Sequence, residues 1–248
     1  MLSPSKSRLV RNSFLILGLL TLVFRPAFGQ LSKIDSLKKV LENQDLPDTS
    51  RVFLLIELCE ASTFTDEQGG RVYAEEALEI SRRVQFAKGE GLANNSIGAY
   101  YLQVGNLEKA LFFVLEAEKV YKKVGDFSSN LLAVYNNLGI IYNRTGETQK
   151  AIAVYKSAIK LAEKEGIAQS QAILYNNLGS AYDNLKYYDS ALWAFEKVEE
   201  VSLKAGIQVG LMMAKSNLGS VYFSLGQLVK SENEYLSGLK IAEEGQYT

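Results

Sequence analysis

The sequence predicts an all-α protein, a solenoid of stacked antiparallel helical hairpins, and three observations carry that prediction. A pattern of five columns recurs four times at a nearly constant spacing. A glycine falls between the halves of most units, where one helix must end. Within each half the apolar residues recur at helical spacing, not at the alternation of a strand.

The N-terminal residues are read first, because a targeting segment is not part of the fold. Lys6, Arg8 and Arg11 form a basic head, followed by the apolar run "FLILGLLTLVF" from Phe14 to Phe24. That run is too short to span a bilayer comfortably. "AFG" (Ala27 to Gly29) then supplies small residues suited to cleavage before Gln30. Residues 1–29 therefore read as an export signal, and a periplasmic or secreted location is expected. An uncleaved membrane anchor is the alternative, since Arg25 beside the apolar run is atypical.

Residues 30–47 read as a capping helix and linker. "LSKIDSLKKVLENQ" places Leu31, Ile34, Leu37, Val40 and Leu41 on one face. A solenoid needs such a cap, because its end units expose an apolar side. Residues 48–89 form a degenerate first unit, in which Gly70, Ala74 and Ala77 precede Ala110, Val114 and Ala117 by forty positions.

Residues 90–248 hold four full units. Gly98, Gly139, Gly179 and Gly219 are 41, 40 and 40 residues apart, and three residues on stand Tyr101, Tyr142, Tyr182 and Tyr222. The small residues Ala110, Ala151, Ala191 and Ser231 come next. Val114, Tyr155, Phe195 and Tyr235 follow them, then Ala117, Ala158, Val198 and Gly238. Glycine on the first helix is expected to admit the second closely, with the small residue opposite it. "QVGN", "RTGE" and "SLGQ" place a glycine at the first helix's C-terminus, but "NLKYYD" has Lys186 there, so a strained or altered turn is expected.

These columns resemble the tetratricopeptide repeat, whose motif runs leucine–glycine, tyrosine, alanine, aromatic and second alanine. The resemblance is close from about Gly91 onward and looser over Asp48 to Gly89. The 40-residue period exceeds the usual 34, and the proline that normally closes the second helix is missing. Both features look like the long-repeat branch seen in kinesin light chains and bacterial peptide-sensing regulators. The resemblance implies a right-handed superhelix with every first helix lining the concave side.

Spacing on the first helices then singles out a polar ladder. "YNNLG" occurs at Tyr135 and again at Tyr175, and "SNLGS" begins at Ser216. Residues that share a helix face recur at three and four positions. Asn136 and Asn137 therefore lie away from the packed side, beside Ile140, and Asn176 and Asn177 repeat that placement. Asn95, Asn217 and Met213 occupy the same face in the flanking units. An amide donates and accepts at once, which suits the main chain of an extended peptide. In the long-repeat relatives asparagines at this place grip peptide backbone, and the resemblance carries that role to these residues. The other reading is structural, with one asparagine of each pair bonding the neighbouring repeat.

The remaining composition narrows the function. Without the four basic residues of the leader, 23 basic face 28 acidic residues, about −5 net. That balance argues against nucleic acid as a partner. No histidine occurs, which removes histidine acid–base chemistry and HExxH metal sites. The single cysteine, Cys59, lies in an apolar run and reads as a small buried hydrophobe. Glu75 with Glu76, and Glu199 with Glu200, read as solvated surface, and Trp193 reads as packing between repeats.

No enzyme activity, cofactor or metal is expected, and no membrane span beyond the leader. The expected function is an exported interaction scaffold binding a peptide or protein segment in its groove. The alternative is the sensor portion of a bacterial signalling protein. The last unit shows no cap after "GLKIAEEGQYT". Either its outer side is polar enough, or another protein or a second copy covers it.

Overall fold

The computed structural model describes residues 33–62, 67–125 and 129–245. The leader (1–29) and Leu31 lie outside them. Among the described residues there are helices and no strands, and the fold is the expected α-solenoid. The elements are α1 (residues 33–41), α2 (Asp48–Ser62), α3 (Glu67–Arg83), α4 (Ala87–Gln103), α5 (Leu107–Val124) and α6 (Ser129–Arg144). They continue with α7 (Thr148–Lys164), α8 (Ala168–Asn184), α9 (Tyr188–Ala205), α10 (Gln208–Ser224) and α11 (Leu228–Glu244). The chain forms two compact units that divide within α4, after Ser96.

In the first unit, α2 and α3 pair as a hairpin and α1 covers it. Ile34 is buried against Leu58 and Ala61, with Leu37 and Leu41 beside it. Val40, expected on the same face, is exposed instead, because the apolar strip of this short helix is narrower than its spacing suggests. Arg51 ties the end of α1 to α2 by donating to the carbonyls of Leu41 (3.2 Å) and Asn43 (3.0 Å). The degenerate columns have exchanged bulk: Leu58 is fully buried on the first helix, and Ala74 on the second is small and fully buried. Gly70 lets α3 approach the Cys59 carbonyl.

In the second unit each hairpin packs on the next. The first helices α6, α8 and α10 also touch one another, whereas α7, α9 and α11 are held apart. This unequal spacing makes the first-helix side the inner side of the stack.

The glycine column works differently from the sequence expectation. Its close neighbour is the large residue of the second helix, not the alanine. A methyl at Gly179 would stand 2.6 Å from Phe195 Cε1, one at Gly219 would stand 2.9 Å from Tyr235 Cε1, and the Tyr155 ring covers Gly139. The small-residue column instead lies on the first-helix backbone, as the bond from Ser231 Oγ to the Gly219 carbonyl (2.8 Å) shows.

The hairpin turns close by one device. The amide after the turn residue donates to the column tyrosine's carbonyl: Asn106 to Tyr101 (2.9 Å), Glu147 to Tyr142 (2.8 Å), Tyr187 to Tyr182 (2.9 Å) and Gln227 to Tyr222 (2.9 Å). Lys186 adopts the left-handed conformation that glycine has elsewhere, with φ 59°, so its turn is strained but not altered. A second left-handed column, unread in the sequence, joins consecutive hairpins at Gln85 (φ 56°), Gly125, Gly166 and Gly206. Because a Cβ in this region costs about 1–2 kcal/mol, Lys186→Gly and Gln85→Gly should each stabilise the protein by about 1 kcal/mol. Urea unfolding measures this, with Gly146→Ala as the destabilising control.

Candidate inner-face site

The inner face of the second unit presents the asparagines, and the structure brings four of them into one relay. Asn217 Nδ2 donates to Asn176 Oδ1 at 2.7 Å, and Asn177 Nδ2 donates to Asn136 Oδ1 at 2.6 Å. A longer contact of 3.4 Å from Asn176 Nδ2 to Asn177 Oδ1 joins the two rungs. The relay therefore runs from α10 through α8 to α6. Each amide's orientation follows from its neighbour, since reversing one would set two carbonyl oxygens or two NH2 groups against each other.

The rungs link the second asparagine of one pair to the first of the preceding pair. Asn177 and Asn217 thus act as staples between helices. Asn136 accepts from Asn177, and its Nδ2 group bonds nothing among the described residues. All four side chains are half-buried. A neutral hydrogen bond of this kind contributes about 1 kcal/mol net. Asn137, and Asn95 in the first unit, are half-buried at the corresponding column positions. Ser216, which replaces the first asparagine in the last hairpin, is exposed.

Apolar side chains border the relay. Ile173 and Met213 are about 40% exposed, at 39% and 40%. With Asn176, Ala172, Ile207 and Val209 they line a crevice between the N-terminal halves of α8 and α10. Ile140 is half-buried and packs on the core that α6 shares with the preceding hairpin, so it offers less surface than Met213. Asn143 is engaged locally, accepting from Thr148 Oγ1 at 3.1 Å.

The residue before each asparagine pair points outward between second helices. Tyr175 donates from its hydroxyl to Glu163 Oε1 at 2.7 Å, pinning α8 to α7. Lys215, at the equivalent position, bridges Glu199 (2.7 Å) on α9 and Glu234 (3.0 Å) on α11. Burial lowers the Lys215 pKa, but the two carboxylates outweigh that and leave it above the ordinary value. Glu199 is thus part of an ion triad, not free surface. Sequence reasoning missed it because the partners lie on three different helices. Trp193 is 45% exposed and meets Tyr175 edge-on at 5.8 Å within one hairpin, so it does not pack between repeats.

Cys59 is buried, and desolvation first, with Glu60 second, pushes its thiol up to about 11. It is therefore a protonated hydrophobe. Among the described residues no group of three acidic or thiol side chains could hold a metal ion, and no helix is long and apolar enough to cross a membrane.

The fold and this face define a helical-repeat scaffold of the protein-interaction class. The tetratricopeptide repeat model matches residues 91–164 and 130–204, so that stretch of the chain is built of tetratricopeptide repeats. No curated protein matches the sequence. Solved structures share the fold. BtubC from P. vanneervenii is 19% identical, covering 88% of this chain and 90% of its own, with a TM-score of 0.72. A Rap protein complexed with competence and sporulation factor is 17% identical over 85% of this chain and 58% of its own, at 0.73. A STAND signal-transduction ATPase with a tetratricopeptide repeat sensor, from Pyrococcus horikoshii, is 17% identical over 92% of this chain and 42% of its own, at 0.62.

The relay makes a pH-dependent prediction. Asn177→Ala should lower stability by about 1–2 kcal/mol, the value of its lost bonds. Asn177→Asp should cost more at pH 7, because a carboxylate cannot donate to Asn136 Oδ1. The carboxyl's folded pKa is thereby raised above about 4. The extra deficit should be absent below pH 4 and grow as pH rises through the folded value. Urea unfolding from pH 3 to 7 checks this.

Proposed function

We propose that this chain is an exported scaffold that holds an extended peptide or protein segment along the inner face of its second unit. The observation that carries the reading is the division of labour within the relay. Asn177 and Asn217 tie the helices together, while Asn136 keeps an unengaged NH2 group, and an apolar crevice opens one repeat further on beside Asn176. A donor of that kind suits a peptide carbonyl whatever the side chain, and Ile173 and Met213 supply a seat for one apolar side chain. Export rests on the basic head, apolar run and small residues of positions 1–29. Intact Met1 on soluble protein, found by mass spectrometry, would overturn that part.

A second reading is a sensor portion of a signalling protein. It is favoured by the similarity to the repeat sensor of the STAND ATPase, of whose length this chain spans 42%. Both readings need the same binding face.

Random peptides displayed on phage, selected against the purified protein, test the groove directly. Selected peptides should lose about fivefold in affinity on Asn136→Ala, one hydrogen bond's worth. Ile173→Ser with Met213→Ser should weaken them tenfold or more. The melting temperature of the double serine variant should fall by only a few degrees, because both side chains are already about 40% in water, and the loss of affinity should persist well below it. Affinity that survives both changes would exclude this face.

A further inference from the structure

The last hairpin carries an apolar surface that the repeat pattern does not explain. Along α11, Leu228, Val229, Tyr235, Leu236 and Leu239 are between 44% and 72% exposed, and only Ser231 is buried. Tyr235 differs from Tyr155 and Phe195 at the same position, which are 1% and 2% exposed, each covered by the next first helix. Val229 and Leu236 are different. Their counterparts on α7 and α9 are Gln149 and Asp189, and Lys156 and Glu196, all exposed to water. At these two positions the last hairpin has replaced polar side chains by apolar ones. They extend the exposed end of the inter-repeat interface into a stripe along the helix.

Two charges interrupt the stripe in a pattern that fits its own copy. Glu232 forms no ion pair among the described residues, and Lys240 has only an exposed contact of 3.8 Å with Glu244. They stand four residues on either side of Leu236. Two α11 helices crossing antiparallel about a two-fold axis at Leu236 would set Glu232 of each against Lys240 of the other. Leu236 would meet itself, flanked by Tyr235 and Leu239. A closed two-fold pair of like copies satisfies both charges of each helix at once.

We propose that this chain forms a homodimer through α11, tail to tail, with Leu236 on the axis and reciprocal Glu232–Lys240 pairs. Sedimentation velocity on the full chain over a dilution series tests it. The wild type should sediment as a dimer. Leu236→Glu and Glu232→Lys should each raise the dissociation constant tenfold or more, with helicity by circular dichroism unchanged. The double exchange Glu232→Lys with Lys240→Glu should restore the dimer. A monomeric wild type would overturn the proposal, including one whose α11 face captures a different protein. So would a dimer indifferent to both single changes, or one that the double exchange fails to rescue.

Discussion

The seating of one large side chain on a helix with no Cβ is the contact on which the second unit depends. Tyr155 lies on Gly139 and Phe195 on Gly179, each ring almost completely buried. A side chain in place of either glycine would push the second helix outward, because a ring enclosed on its far side has nowhere to move. With the glycine present, the hairpin closes tightly and the ring's other face is left for the next first helix. Each unit is thereby half of a core that its neighbour completes. The same closeness brings the first helices into contact, so that amides on consecutive repeats stand 2.6–2.7 Å apart. Hairpin closure and the polar ladder share one geometric cause.

Much of this was legible in the sequence, and for a physical reason. Repetition at 40 residues reports stacking directly, and the columns fall at helical spacing whatever the partner. The cap over the first hairpin was legible too, through Ile34, Leu37 and Leu41, although Val40 turned outward. The failures concern contacts whose partners a single column cannot identify. Gly139, Gly179 and Gly219 meet rings rather than alanines, since column membership does not reveal which residue faces which across a hairpin. Lys186 keeps the glycine turn, because the backbone bond to the Tyr182 carbonyl outweighs the strain of one left-handed residue. The triad of Glu199, Lys215 and Glu234 joins three helices, and no periodicity announces it.

The asparagines show how far a face assignment reaches. Helical spacing placed them on the inner side, and half-burial there agrees with it. Spacing could not show that the second of one pair bonds the first of the preceding pair. The bonding splits a set of similar side chains into two roles, and exposure alone would not distinguish them. Asn177 and Asn217 spend a donor on the stack, and Asn136 does not. Any ligand that follows the inner face meets the first asparagine of each pair with its orientation already fixed, which lowers the entropy cost of binding.

Side-chain amide hydrogen exchange, followed by NMR on protein labelled at asparagine, tests this division most directly. The Nδ2 protons of Asn177 and Asn217 should exchange slowly, each held by an oxygen of the preceding repeat, while those of Asn136 should exchange near the rate of a free amide. Equal, rapid exchange at all three would contradict the relay, and with it the claim that one geometric constraint both stacks the repeats and prepares their inner face.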